Sequence, residues 1–156
     1  VTPSPPPADG DDMHPLLAAL NAAGVAADIR AWDDLTVSWS RYAIVLLRSP
    51  WDYTMRLDEF LAWCERISNI TTLLNPLEVV RWNTDKHYLA ELKRAGIAIV
   101  PSRFIEPDAD AATALQTFLD QQGECAELVV KPAIGAGSLA TQRHARGIQD
   151  PTAPHN

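Results

Sequence analysis

The sequence predicts an α/β fold in which a first α/β lobe is followed by the start of a second, smaller α+β lobe. Three observations predict it. Helix and strand patterns alternate up to about residue 75, the stretch beyond is more mixed, and Asn75-Pro76 breaks the chain between them. The length of 156 residues is enough for roughly one domain or two small lobes.

The first lobe is predicted to hold two helices and two strands. A helix runs from Pro15 to Ala23 and stops at Gly24. Val25 to Ala31 fits a strand, and residues 43–48 form an apolar run typical of a central parallel strand. From Arg56 onward, apolar residues recur at helical spacing, and they are Leu57, Phe60, Leu61, Cys64 and Ile67.

After the Asn75-Pro76 break, the pattern changes to short elements. A turn or short helix carries Val79, Val80 and Trp82. A further helix is predicted over about Thr84 to Ala95, with Gly96 as its stop. Residues 97–100 and 104–105 are predicted to be short extended pieces around Pro101.

The last predicted elements are one helix and a β-hairpin. Asp108 or Asp110 can cap a helix that runs through Gln121. Glu127 to Lys131 is predicted to be a strand, and Leu139 to Arg143 its hairpin partner across a glycine loop.

Composition excludes several classes of partner. The net charge is −7, which argues against nucleic acid and anionic membrane, because both reward clustered Lys and Arg. Hydrophobic residues make up 47% and charged residues 21%, so a packed core is expected. Without an apolar run of about 20 residues or a signal pattern, we expect a cytoplasmic protein. A homo-oligomer is compatible with the sequence.

The two ends differ in composition from the rest. Residues 1–12 are rich in Pro, Gly and Asp and are predicted to be a disordered lead-in. Residues 144–156 are predicted to be a polar tail, and the chain looks cut short there. Cys64 and Cys125 lack metal or redox spacing, so we expect two buried thiols in a reducing compartment. The histidines show no metal-binding spacing, and we predict no metal ligands.

Lys131 carries the strongest functional signal. It ends the apolar run Leu128-Val129-Val130, and a buried strand rarely ends on a cation. Gly135, Gly137 and Ser138 follow, so backbone N–H groups can close around an anion. The pattern suggests a phosphate site. The alternative is a strand whose last residue simply reaches solvent before a turn.

A second candidate is Arg48, at the end of the most apolar strand of the first lobe, with Asp52 shortly after it. Ligands of open α/β sheets bind beyond the carboxyl ends of the strands. A guanidinium there can hold a carboxylate or phosphate through two parallel hydrogen bonds. The alternative is that Arg48 pairs with Asp52 and nearby aromatic residues pack the loop.

A third candidate is Lys86 in Asn83-Thr84-Asp85-Lys86. If Asn83 or Thr84 caps a helix, Lys86 lies in its first turn, where the helix dipole disfavours a cation. A bound anion between the N-terminal N–H groups and the lysine would make that position favourable. The alternative is a surface lysine that pairs with Asp85 or Glu91.

Taken together, three segments resemble an ATP-grasp ligase. They are residues 47–53 with 59–63, residues 75–89 with the run Val80-Arg81-Trp82-Asn83-Thr84-Asp85-Lys86, and Val129-Val130-Lys131-Pro132 with its glycine loop. Their order and spacing are similar to a bacterial subgroup that includes the O-ureido-serine cyclo-ligase of cycloserine biosynthesis. The resemblance runs from about Pro15 to Arg143.

The resemblance implies a pre-ATP-grasp, Rossmann-like lobe over residues 13–75 and the first, α+β lobe of an ATP-grasp domain over 76–143, with the second lobe absent. Such enzymes use ATP to activate a carboxylate as an acyl phosphate, which an amine then attacks. ATP and Mg²⁺ are the implied cofactors, and small-molecule carboxylates and amines are the implied substrates.

The same resemblance assigns roles to individual residues. Lys86 and Lys131 match the two family lysines that hold ATP phosphates. The loop over those phosphates is matched by Gly135, Gly137 and Ser138. Arg48, with Asp52, is the candidate substrate anchor. The Mg²⁺ ligands are expected in the missing lobe, so we expect the chain alone not to turn over ATP.

Two other hypotheses stay open at this point. One is a binding or assembly module that keeps the ATP-grasp scaffold without catalysis. The other is a plain α/β domain in which a lysine and a glycine loop coincide by chance. Downstream coding sequence separates the first from a ligase, and ATP protection of Lys131 from amine-reactive labelling argues against the second.

Overall fold

A computed structural model describes residues 1–2, 12–123 and 127–145 of the chain. The chain forms two compact units, Val1–Thr84 and Asp85–Asn156. The boundary between the units follows Thr84, whereas the predicted boundary was Asn75-Pro76. The helix Leu77–Asn83 belongs to the first unit because its buried Val80 packs into the core of that unit.

The first unit contains three helices and a parallel strand pair. Its elements are α1 (Met13–Ala22), a 3₁₀ turn (Trp39–Arg41), β1 (Ile44–Leu46), a 3₁₀ helix (Trp51–Thr54), α2 (Leu57–Ser68), β2 (Thr72–Leu74) and α3 (Leu77–Asn83). The strands β1 and β2 pair in parallel, with Val45 opposite Leu73. Because α2 connects them, this part is a βαβ unit.

The amino terminus is ordered where the structure describes it. The Val1 amino group donates to the Leu46 carbonyl at 2.9 Å. Thr2 bridges to Ala31 in parallel and is only 1% exposed. The prediction of a disordered lead-in over residues 1–12 is therefore wrong for Val1 and Thr2, and residues 3–11 lie outside the described part. Backbone pairing on both sides, which composition does not reveal, orders these two residues.

The strand predicted from Val25 to Ala31 is present only as this single bridge at Ala31. In the described part of the chain, Thr2 is the only residue that forms a β-bridge with this segment. The predicted strand over 43–48 is confirmed as β1, and the predicted helix from Arg56 is confirmed as α2. The helix predicted from Pro15 is confirmed as α1.

The core of the first unit lies between α2 and the strand pair. Phe60, Trp63, Cys64 and Ile67 of α2 are buried, together with Trp32, Val45, Leu47, Leu73 and Val80. Cys64 is fully buried, and burial raises the pKa of its thiol to about 12. The expected buried thiol is confirmed for Cys64, whereas Cys125 lies outside the described residues. Trp51 and Trp82 are exposed, so not every tryptophan serves the core.

The second unit consists of two helices and a β-hairpin. Its elements are α4 (Tyr88–Arg94), α5 (Ala111–Gln121), β3 (Glu127–Val130) and β4 (Gln142–Ala145). Asp110 caps α5 by accepting from the backbone N–H groups of Ala112 and Thr113, as predicted. The strands β3 and β4 are antiparallel, which confirms a hairpin across the glycine loop, although its second strand is Gln142–Ala145 rather than the predicted Leu139 to Arg143.

Three predictions for the second unit are corrected. The helix expected from Thr84 begins at Tyr88, because the chain turns at Asp85–His87 first. No strand forms at 97–100 or 104–105. The expected polar tail over 144–156 starts inside β4, since His144 pairs with Leu128, and its residues 146–156 lie outside the described part.

The second unit exposes much of its apolar surface. None of its described residues is buried. Val129 and Val130 of β3 are 53% and 48% exposed, so the expectation of a buried strand before Lys131 is wrong for this chain. A two-stranded hairpin has no second layer to cover both faces. Among the residues described, no helix is long and apolar enough to cross a membrane.

Candidate functional site

Lys86 lies in a turn that precedes α4. The turn is closed by backbone hydrogen bonds from Tyr88 to Asp85 and from Leu89 to Lys86. Since α4 starts at Tyr88, Lys86 is not in the first turn of a helix, and the helix-dipole argument for an anion does not apply. What the structure shows instead is a tertiary contact.

Lys86 is held against the loop that follows β3. Its backbone N–H donates to the Ala133 carbonyl at 3.0 Å. Its ammonium group donates to the Ala133 carbonyl at 3.1 Å and to the Gly135 carbonyl at 2.9 Å. The contacts of the Lys86 ammonium with two loop carbonyls are ones that the surface-lysine alternative did not anticipate.

The electrostatic surroundings of Lys86 include the second lysine. Partial burial lowers the pKa of Lys86, and the positive charge of Lys131 lowers it further, while Asp85 opposes both. Lys131 follows β3 directly and is exposed. Two ammonium groups that repel each other beside one glycine loop stabilise an anion placed between them.

The glycine loop after Pro132 turns through left-handed backbone. Gly137 and Ser138 have φ of 59° and 61°, and the Leu139 N–H donates to the Ala136 carbonyl at 3.1 Å. This geometry is a type I′ turn, which requires positive φ at both central residues. The positive φ of Ser138 is sterically unfavourable for a residue with a Cβ atom, whereas glycine would adopt it without strain. Such backbone strain is concentrated at functional loops.

Gly135 has a different requirement. A Cβ atom added there would lie 2.9 Å from Cγ of Pro132 and 3.7 Å from Nζ of Lys86. The position therefore needs glycine for close packing rather than for an unusual φ. The two glycines predicted as site residues, Gly135 and Gly137, serve the loop for separate physical reasons.

This arrangement is suited to an anion with several oxygens. An ammonium group has three N–H donors, and Lys86 uses two of them on loop carbonyls. One donor remains for a ligand, beside the exposed ammonium of Lys131. The carbonyl contacts were missed at the sequence level, because backbone acceptors leave no side-chain signal.

The residues proposed as the substrate anchor lie in the first unit and are engaged in other contacts. Arg48 is exposed and forms an ion pair with Asp12. Asp52 accepts from Trp32 Nε1 at 2.9 Å and from Arg56 at 3.3 Å. The alternative pairing of Arg48 with Asp52 is therefore wrong. Asp52 holds the loop in place through both of its oxygens.

Arg56 is a connecting residue that sequence analysis did not single out. Its guanidinium lies 4.5 Å from the ring centroid of Trp32 and 2.7 Å from Asp33. It also pairs with Asp52 at 3.3 Å and Glu59 at 2.7 Å. The i,i+4 and i,i+3 spacings to its two neighbours were visible in the sequence, but the contact with Asp33 was not.

No group of three or more His, Cys, Asp or Glu residues that could hold a metal ion occurs in the described part of the chain.

Comparison with known proteins identifies relatives of this chain. Residues 1–75 match the family model described as D-cycloserine synthetase DcsG, N-terminal domain. The fold, a small mixed α/β chain, is similar to the crystal structure of D-cycloserine synthetase DcsG. The TM-score is 0.77 at 44% identity, and the match covers 86% of this chain and 46% of that one.

A curated relative agrees with the solved structure. The chain is homologous to the cycloserine biosynthesis protein DcsG of Streptomyces lavendulae, with 43% identity over 144 residues. The match covers 92% of this chain and 48% of the relative. The chain thus spans about half the length of the proteins that it matches.

Proposed function

We propose that this chain is the N-terminal part of an ATP-dependent, ADP-forming carboxylate–amine ligase. In this proposal, the loop after β3 and the two lysines beside it hold the phosphates of ATP. The observation that carries the proposal is the contact of the Lys86 ammonium with the loop that directly follows Lys131. Homology to an enzyme of cycloserine biosynthesis supports it.

The proposed reaction has two steps. A substrate carboxylate attacks the γ-phosphorus of ATP, which gives an acyl phosphate and releases ADP. An amine then attacks the acyl carbon, and phosphate leaves. In the first step, Lys86 and Lys131 offset the negative charge that the phosphates carry into the transition state. Closure of the loop at Gly135–Ser138 keeps water from the acyl phosphate.

The described residues contain no group of three or more His, Cys, Asp or Glu side chains that could hold Mg²⁺. Following the resemblance, the proposal places the Mg²⁺ ligands in a second ATP-grasp lobe. When bound, Mg²⁺ neutralises phosphate charge. We expect the 156-residue chain by itself to release no ADP.

The names of the two relatives point to a role in the biosynthesis of cycloserine. One is called a D-cycloserine synthetase, and the other a cycloserine biosynthesis protein. We propose that the full-length protein acts in cycloserine biosynthesis. The oxygen-bound nitrogen of one O-ureido-serine molecule attacks its own activated carboxyl carbon and phosphate leaves, and hydrolysis then removes the carbamoyl group of that nitrogen as CO₂ and NH₃. From the resemblance alone, Arg48 and Asp52 are proposed as anchor residues for the substrate, since a guanidinium can hold a carboxylate through two parallel hydrogen bonds.

The test is ADP release by the full-length protein with Mg²⁺, ATP and O-ureido-serine. We expect turnover in the wild type, and a loss of about 10- to 150-fold in Lys86→Met and in Lys131→Met, since charged hydrogen bonds to phosphate contribute roughly 1.5–3 kcal/mol each. Lys93→Met is the matched control, because Lys93 is an exposed lysine on α4. Equal loss in all three variants, or ATP binding without turnover in the wild type, contradicts a ligase.

A further inference from the structure

His87, the residue after Lys86, is held on both nitrogens. Its Nδ1 lies 2.6 Å from Asp85 Oδ1, and its Nε2 lies 3.2 Å from Glu106 Oε1. The backbone N–H of His87 donates to the same Asp85 oxygen at 3.0 Å. A ring with carboxylates at both nitrogens donates to both only when it is protonated.

The ring of His87 also stacks on Phe104. The ring centroids are 4.2 Å apart, with planes inclined by 27°. Phe104 and Glu106 belong to an irregular segment that forms no strand. His87 thus fastens this segment to the Asp85–His87 turn through one stacking contact and one ion pair.

The turn that His87 fastens is the one that presents Lys86. On one side of the turn, the backbone and ammonium of Lys86 contact Ala133 and Gly135. On the other side, His87 contacts the segment with Phe104 and Glu106. The residues Asp85 to His87 therefore join two parts of the second unit that are distant in sequence.

Asp85 connects the two cations. It accepts from His87, and its negative charge also acts on Lys86. While His87 is protonated, it occupies Oδ1 of Asp85. A neutral His87 gives up its hydrogen bond to one of the two carboxylates. It keeps the shorter bond to Asp85 and releases Glu106, so the segment with Phe104 and Glu106 no longer holds the turn that presents Lys86 as firmly.

We propose that His87 is a positioning residue for Lys86: in its protonated form it fixes the turn so that the Lys86 ammonium stays on the loop carbonyls where ATP phosphates bind. That Lys86 binds ATP rests on the proposed function. The effect of His87 on the contact between Lys86 and the loop does not depend on it. The site consequently loosens as His87 loses its proton.

The charged groups around His87 set the direction of this dependence. Asp85 faces it from its own turn, and Glu106 faces it from the segment that packs on the ring. Both raise the pKa of His87 above its ordinary value, with the Asp85 hydrogen bond as the larger cause. Positioning is therefore complete at mildly acidic pH and lost as pH rises through that raised pKa.

The experiment measures the reactivity of Lys86 in the full-length protein without nucleotide. An amine-reactive reagent labels the protein across pH 6 to 9, and mass spectrometry gives the labelling rate of Lys86 divided by that of the exposed Lys93. Three proteins are compared, namely the wild type, His87→Arg and His87→Gln. Arginine donates to both carboxylates at every pH, whereas glutamine carries no charge.

In the wild type, we expect the ratio to rise by about 2- to 5-fold with pH, the size that an exposed ion pair supports. His87→Arg keeps the low ratio throughout, and His87→Gln keeps the high one. A merely structural role would raise the ratio in both variants at every pH. Equal pH profiles in the wild type and His87→Arg, or a low ratio in His87→Gln, overturn the proposal.

A second arm with ATP separates this proposal from the proposed function. If His87 positions Lys86 and the protein binds ATP, the affinity follows the same pattern across the three proteins. If the labelling ratios behave as expected but ATP protects neither Lys86 nor Lys131, the positioning stands and the proposed function fails. If ATP protects both lysines but the labelling ratios do not depend on His87, the proposed function stands and the positioning role of His87 fails.

Discussion

The ammonium group of Lys86 donates a hydrogen bond of 2.9 Å to the carbonyl of Gly135, although the two residues are 49 positions apart in the sequence. Through this contact, a side chain from the turn before α4 defines the position of the glycine loop after β3. A cation held by carbonyls keeps its charge. An anion can therefore bind without the loss of conformational entropy that ordering the lysine side chain would cost.

The contact predicts how the loop behaves without nucleotide. In Lys86→Met, the loop loses the ammonium that holds Ala133 and Gly135, while the strained turns beyond them remain. We expect the amides of Leu139 and Thr141 to exchange with solvent about 5-fold faster, which one net hydrogen bond of about 1 kcal/mol supplies. Hydrogen exchange measured by NMR checks this.

Lys93→Met is the control for that measurement, since Lys93 is exposed on α4. Equal exchange rates for the two loop amides in Lys86→Met and the wild type would show that the ammonium does not restrain the loop.

Gly135 is predicted to be intolerant of even one added carbon. Gly135→Ala places Cβ 2.9 Å from Cγ of Pro132, so the loop must shift. Because this loop lies on the surface, we expect ATP affinity to fall by about 10-fold, with the free energy of unfolding changed by less than about 0.5 kcal/mol. Titration calorimetry and chemical denaturation measure the two quantities.

Gly123→Ala supplies the contrast for Gly135→Ala. Gly123 has φ of 56° and open space around its added Cβ, so alanine there is strained but meets nothing. We expect a loss of roughly 1 kcal/mol in stability and unchanged ATP affinity. The account of Gly135 is wrong if both variants change the same quantity.

Arg56 is predicted to stabilise the first unit. Arg56→Met keeps an apolar stem over Trp32 but leaves Asp33, whose side chain is 18% exposed, without its cation. We expect Arg56→Met to unfold at a lower denaturant concentration than the wild type, and chemical denaturation measures this midpoint. Arg66→Met on the same helix is the control and is expected to leave the midpoint unchanged.

Asp110 gives α5 a dependence on pH. Hydrogen bonds from Thr113 and Ala112 hold the pKa of Asp110 below its ordinary value of 3.8. The cap therefore stabilises α5 above the unfolded pKa, and this contribution is lost as pH falls through the lower, folded pKa. In the wild type, the amides of Ala112 and Thr113 should exchange faster in that acid range. Asp110→Asn, whose side chain accepts without titrating, should show no such step.

The helices and the hairpin could be predicted from local patterns. Phe60, Cys64 and Ile67 repeat at helical spacing, and Asp110 precedes an apolar helix as a cap does. The order at Val1 and Thr2 could not be predicted, because it comes from backbone pairing with distant segments. Composition alone made this end look disordered.

Within the site, the sequence indicated Lys86 and Lys131 but not the carbonyls that hold Lys86. The backbone carbonyls of Ala133 and Gly135 carry no residue-type signal. His87 was passed over because its partner Glu106 lies 19 positions away. Contacts to backbone and between distant segments are the ones that a pattern of residue types does not encode.

The most direct test of the central claim is amine-reactive labelling of the full-length protein, with and without ATP, read at each lysine. If Lys86 and Lys131 bind the same nucleotide, ATP slows the labelling of both over the same concentration range and leaves Lys93 unchanged. Protection of one of the two without the other, or equal protection of all three, would contradict a shared phosphate site.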